Sequence, residues 1–335
     1  MKKWIILSIS FLFVIIALSS CVTDQMYRTN ISDTKICSQI ELNSDNFENN
    51  SINDNQSQCA FQTHKIATAS QWAQVPNAER ISEPDTFNLS FIEMSENSNS
   101  LFNHEQLNAL KSNLKRNSQN YVITYVHGWR HDSEIGDTDV QKFRVLLAYS
   151  RSFLNTRCVK LNRYCNASLT GVFVGWRGRT FPEPVDRKKS NAFLNGIYTI
   201  LAAPTLWSRK KQSENFAKGV QPVIGEIIDG IKDELTLNTD SYIADKHLVF
   251  GHSLGGNMLA TFMQPKVMAA VNDHTLGTTM KPIVGDLVVL LNPASEASKW
   301  TSFQEAIRSR SGLSKSDVWG AGSHYAEANL VDRKN

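Results

Sequence analysis

The stretch from Lys246 to Met263 constrains the fold of this chain more tightly than any other. Leu248-Val249-Phe250 is a short apolar run that stops at Gly251; Ser253 follows, then Gly255 and Gly256. Beyond them Met258, Leu259, Phe262 and Met263 recur at helical spacing. The pattern reads as strand, sharp turn, helix. A turn this abrupt brings the strand and helix backbones closer than a Cβ allows, which accounts for the glycines on either side of the serine. The Ser253 hydroxyl then stands clear of the sheet. The N–H of Leu254 is left at a helix N-terminus, without an acceptor inside the helix.

Other segments supply the sheet to which this turn belongs. Phe87 to Met94 alternates apolar and polar residues and predicts an early, half-exposed strand, and Glu105 to Leu114 predicts a short helix. Tyr121 to Val126 is β-branched and aromatic almost throughout, the mark of a strand buried on both faces. Val140 to Phe153 predicts a helix that meets the core through Val140, Phe143, Leu146, Leu147 and Ser150. Leu169 to Gly175 is a second buried strand. Residues 179–218 are less regular and carry Phe193, Tyr198, Leu201, Leu206 and Trp207, which suit either a lid-like insertion or a plain amphipathic helix. Val220 to Leu235 predicts the helix that leads into the Lys246 strand, and Asp286 to Leu291 a further buried strand. Four helix–strand alternations imply an α/β protein with a doubly wound, mainly parallel sheet.

The form Gly251-His252-Ser253-Leu254-Gly255-Gly256 resembles the nucleophile elbow of α/β-hydrolase lipases and esterases. The resemblance covers roughly residues 85–310. A strand running into His127-Gly128-Trp129 resembles the oxyanion loop of the same superfamily. The alternative there is an ordinary strand-to-loop turn in which His127 bonds the backbone. The resemblance implies a serine hydrolase acting on carboxyl esters. Ser253 would be the nucleophile, and the N–H groups of Leu254 and Trp129 the oxyanion donors. The family's order is serine, acid, histidine. Of eight histidines only His274 and His324 follow the elbow, and His274 sits in a loop-like stretch before the next strand. His324 is therefore the implied base, with Asp317, or less favourably Glu296, as its acid. Residues 311–335 lack the strand patterns that precede these residues in related hydrolases. The C-terminus is then either compressed or truncated. In the second case the alternative is a catalytically incomplete hydrolase-fold lipoprotein with a binding or structural role. No Gly-x-x-x-x-Gly-Lys-Ser/Thr loop occurs, and neither a cofactor nor a metal is called for.

The first residues carry their own message. Lys2 and Lys3 precede an apolar run from Trp4 to Ala17, and Leu18-Ser19-Ser20-Cys21 follows. Too short to span a bilayer, the run reads as a cleaved signal over residues 1–20. Leu-Ser-Ser-Cys resembles the lipobox of bacterial lipoproteins, which implies a lipid on Cys21 and a place in the cell envelope. Val22 follows the cysteine where an aspartate would, by the same resemblance, favour the inner membrane, which leans that place toward the periplasmic face of an outer membrane or the cell surface. Residues 21–80 are rich in Asn, Ser, Asp and Gln and are expected to form a polar tether, with the hydrolase domain over 81–335. Without Lys2 and Lys3 the 35 basic residues become 33 against 32 acidic ones, a balance that gives no ground for a nucleic-acid partner. The expected partners are a small-molecule or lipid ester and the membrane reached through Cys21. Four cysteines remain, Cys37, Cys59, Cys158 and Cys165. An oxidising envelope favours disulfides between sequence neighbours, Cys37–Cys59 and Cys158–Cys165, although two other pairings satisfy the same count.

Overall fold

The computed structural model describes residues 22–31, 34–38, 40–42, 52–66, 86–117, 119–134, 136–161, 167–180, 202–237, 245–272 and 284–296, with 196, 199–200, 299, 301 and 305. The described strands are β1 (Ile40–Leu42), β2 (Phe61–Ile66), β3 (Thr86–Ser95), β4 (Ser100–Leu101), β5 (Asn120–Val126), β6 (Ser168–Gly175), β7 (Lys246–His252) and β8 (Leu287–Leu291). They form one mixed sheet in the order β1-β2-β3-β6-β5-β7-β8, with β4 beside β3. From β3 to β8 along that order every pairing is parallel, while β2 and β4 run antiparallel to β3.

The helices are α1 (Thr34–Cys37), α2 (Asp54–Ser57), α3 (His104–Arg116), α4 (Thr138–Leu161), α5 (Thr205–Asn215), α6 (Val223–Leu237) and α7 (Leu254–Asn272). None of the described helices is long and apolar enough to cross a membrane. Alternation along the strands sorts the core into two layers. Val122 and Val126 of β5 and Val172 and Val174 of β6 pack under α3, α6 and α7, through Leu110, Ile227, Ile228 and Met258. Ile123, Tyr125 and Phe173 face the other way and meet Val140, Phe143 and Leu147 of α4. Helices cover both faces, the doubly wound arrangement of an α/β protein.

Three elements depart from the sequence-based expectation. β3 is buried almost throughout, because β2 and β6 flank it and apolar layers cover both its faces. β8, expected to be buried, is the last described strand in the sheet order, and Leu287 and Leu291 are exposed. On α4, Leu146 points to solvent; Arg144 and Arg151 share the inward face with Phe143 and Leu147.

The segment expected to be a polar tether also contributes to the sheet. β1 and β2 extend it, and Cys37 is disulfide-bonded to Cys59. Residues 22–31 lie against the body of the protein through polar groups. The backbone N–H groups of Tyr27 and Arg28 donate to the buried Glu93 carboxylate, at 3.0 and 2.9 Å. Gln106 reaches the same carboxylate at 3.1 Å. The Arg28 guanidinium sits 3.9 Å above the Phe91 ring and donates to the Ser133 carbonyl. Composition hides this contact, since hydrogen bonding and not apolar area makes it.

The connection from β5 through α4 leads to β6 on one side of β5, and the chain then returns to place β7 on the other side. The sheet order reverses there. At such a switch point the loops leaving neighbouring strands diverge and open a crevice beyond the carboxyl ends, which is where open α/β sheets bind ligands.

Candidate functional site

Ser253 lies at that switch point. It follows β7 directly with φ of +53°, a left-handed conformation that a non-glycine residue adopts only when its surroundings hold it there. Its N–H donates to the Leu291 carbonyl at 3.0 Å; its own carbonyl accepts from Asn257 and Ala294, both at 3.0 Å. The turn is thus bonded to the end of β8 on one side and to the first turn of α7 on the other. Gly255 shows how tightly the helix start is nested. A Cβ there would lie 2.1 Å from the Val126 carbonyl oxygen, a backbone atom that cannot yield.

The half-exposed Ser253 hydroxyl has no hydrogen-bond partner among the described residues. Leu254 is the first residue of α7, so its N–H belongs to the unpaired donors at the positive end of the helix dipole. The loop after β5 abuts the turn. A Cβ on Gly128 would come within 3.0 Å of both Ser253 Cβ and the His252 carbonyl oxygen. Trp129 follows Gly128, and its indole N–H donates to Thr205 Oγ1 at 3.3 Å, tying this loop to the start of α5. Arg130 takes φ of +68° and donates its N–H to the Gly178 carbonyl at 2.9 Å. The sequence candidates Ser253, Leu254 and Trp129 are therefore brought together, from two loops far apart in the chain.

His127 is a framework residue. Its Nδ1 lies 3.0 Å from the Gly128 carbonyl, its Nε2 accepts the N–H of Trp176 at 3.1 Å, and its ring stacks on Trp176 and Phe173. The two bonds specify the neutral Nδ1–H tautomer. Complete burial lowers its pKa to about 4, against the partial support of the Gly128 carbonyl. His127 bonds the backbone, as the ordinary-turn alternative expects, and holds the β5 loop to the β6 loop.

A group that sequence reasoning did not assemble lies next to it. His131 Nδ1 is 2.9 Å from Asp137, and its Nε2 is 3.6 Å from Asp139. Among the described residues these three have ligand atoms close enough to hold a metal ion. Their bonds are already committed, however. Asp137 accepts the N–H groups of Asp132 and Asp139 at the start of α4, and Asp139 accepts the Tyr125 hydroxyl at 2.6 Å. Burial acts to raise the Asp137 pKa, but the His131 hydrogen bond and charge outweigh it and hold the carboxyl below its ordinary value. The signal in sequence was Asp137-Thr138-Asp139, a helix-capping pattern; its closeness to His131 depends on how the loop folds.

Glu296, the less favoured acid, is half exposed and salt-bridged to Lys210, with Lys299 3.9 Å away. The Lys210 bond holds its carboxyl below the ordinary value, and it serves no histidine among the described residues. Arg177 pins its loop to the Glu96 carboxylate, which Arg209 also reaches. Asp317, His324, His274, Cys21, Cys165 and the Cys158 side chain lie outside the described residues. Comparison of the chain with protein-family models, with curated proteins and with solved structures finds no match.

Proposed function

We propose that this chain is a lipid-anchored serine hydrolase of the α/β-hydrolase type, cleaving carboxyl esters through an acyl-enzyme on Ser253. One observation carries the reading: a non-glycine serine held at positive φ between a strand and a helix N-terminus, at the switch point of a parallel sheet. Holding a residue there costs about 1–3 kcal/mol, and the Ser253 hydroxyl recovers none of it through a bond to the described residues. The arrangement suits a nucleophile.

In the proposed reaction Ser253 Oγ adds to the ester carbonyl and its proton passes to a general base. The carbonyl oxygen becomes an oxyanion facing the Leu254 and Trp129 N–H groups. Collapse of the tetrahedral species expels the alcohol, protonated by the same base, and leaves the acyl group on Ser253. Water then adds to the acyl carbon, and the carboxylic acid departs as the serine regains its proton. His324 is assigned the base and Asp317 its orienting acid. His127 cannot fill the role, because both of its ring nitrogens are occupied.

The anchor is assigned to Cys21 from the signal pattern, which places the protein in the cell envelope, on the outer membrane. The test is labelling of the folded protein with a fluorophosphonate. Wild type should label and Ser253→Ala should not. Absence of labelling in a folded wild-type sample would favour the alternative, a hydrolase-fold lipoprotein that binds without catalysis. Cys21→Ser should move the protein out of the membrane fraction, and retention there would remove the anchor from the proposal.

A further inference from the structure

We infer that the crevice face of this protein lies directly on the membrane that holds its anchor, and that the ester it takes is a lipid drawn from that membrane. The inference rests on the proposed anchor at Cys21 and the proposed nucleophile at Ser253. What it adds is their relative placement.

Val22, the residue after Cys21, has a fixed position on the protein body. Its N–H donates to the Thr180 carbonyl at 2.9 Å, and its carbonyl accepts from Arg177 Nη1 at 2.9 Å. Two residues on, the Asp24 carboxylate accepts from Ser95 Oγ at 2.9 Å and from the Asn97 N–H at 3.1 Å. The Glu93 contacts with Tyr27 and Arg28 continue the line. Ser95 ends β3, and Arg177 and Thr180 follow β6. Since β3, β6, β5 and β7 are parallel, those positions share one edge of the sheet with Gly128 and Ser253. One residue spans less than about 4 Å, so a lipid on Cys21 enters the bilayer beside the crevice, with no length of chain to swing it elsewhere.

The surface around the crevice fits that placement. Trp207 is 73% exposed and Ile200 74% exposed, two large apolar side chains turned to solvent. Both belong to the segment that meets the oxyanion loop. Thr205 accepts the Trp129 indole, and Thr199 accepts Arg130 Nη1 at 2.9 Å. On α5, exposed Lys211 stands one turn after Trp207 and so shares its outward face. Lys210, whose Nζ lies 5.9 Å from the Trp207 ring, is held by Glu296, which leaves Lys211 as the lysine for a headgroup. Tryptophan with lysine beside it is the side-chain chemistry of a bilayer interface, the ring among the headgroups and the ammonium on phosphate. A lipid surface is the occupant because the chain leaving Val22 leads into one.

The experiment uses the full lipidated protein in vesicles of phosphatidylethanolamine and phosphatidylglycerol that carry a nitroxide on the upper acyl chain. The readout is quenching of tryptophan fluorescence. Wild type and Ser253→Ala should be quenched to the same degree, and Trp207→Phe should lose most of that quenching. A long Gly/Ser insertion between Cys21 and Val22 should lower it several-fold. Vesicle-bound protein whose Trp207 contribution is unquenched would overturn the inference while leaving the anchor and the hydrolase reading intact. Failure to bind vesicles would overturn the anchor and the inference together. A quenched protein that does not label at Ser253 would overturn the lipid-ester substrate through the hydrolase reading alone.

Discussion

Ser253 is the residue at which stability and the proposed chemistry oppose each other. Its positive φ is a cost that glycine would not bear, while glycine loses about 0.5–1 kcal/mol through greater freedom in the unfolded chain. Ser253→Gly should therefore unfold at higher denaturant, by about 1 kcal/mol, and fail to react with a fluorophosphonate. A variant less stable than wild type would show that the serine side chain makes structural contacts of its own. His127 gives a second test. Its imidazole is lowered to about 4 in the fold, whereas the unfolded chain takes up that proton near pH 6.5. A depressed histidine contributes stability that is complete above pH 6.5 and declines as the pH falls to about 4. His127→Gln should flatten the pH dependence of unfolding in that window by about 1.4 kcal/mol per pH unit relative to wild type. His247 and His64, also lowered by burial, act in the same direction, and Asp132, raised to about 6 by burial, acts against them. The wild-type-minus-variant slope isolates His127, and equal slopes would contradict its burial.

At the scale of elements, legibility followed the apolar pattern. β5, β6, α6 and the β7–turn–α7 unit were readable because each buries a periodic apolar face, and the glycines around Ser253 marked the close approach to β5. β1 and β2 were not. His64 and Gln62 are buried and polar, bonded to each other at 3.0 Å, so β2 does not read as an apolar strand. The exposure of Leu146 was missed for a related reason, since buried Arg144 and Arg151 occupy helix positions where an apolar residue is expected. Of the candidate site, the two loops were legible as motifs. The clamp of His131 between two aspartates was not, because no local pattern records a contact across a turn. The Cys37–Cys59 bond holds α1 against the start of β2, closing a loop with a sequence separation of 22. Replacing both cysteines with serine should lower stability by about 3 kcal/mol, read from denaturant midpoints. A change under about 1 kcal/mol would mean that the hydrogen bonds of residues 22–31 hold this region unaided.

For the whole molecule, the domain boundary drawn at residue 81 from composition cuts through one folded body. A chain comprising 81–335 alone would lose β1 and β2, and the Glu93 carboxylate would lose the Tyr27 and Arg28 N–H groups. Burial already raises the Glu93 pKa, against the support of those bonds. Residues 81–335 should therefore lack the near-ultraviolet circular dichroism of the full chain and expose apolar surface to a dye such as anilinonaphthalene sulfonate. A native-like spectrum would return residues 22–66 to the status of an appendage. The sheet's middle has a consequence of a different kind. Tyr121 of β5 is paired with Lys246 of β7, and α4, β6, α5 and α6 all lie between them in the chain. A ribosome delivers β5 long before its partner, so one side of this buried strand waits with unpaired N–H and C=O groups until β7 has been made. During that interval the growing chain is open to pairing with another copy of itself, and its yield in a cell should depend on chaperones that shield β5 more than on the final stability of the fold.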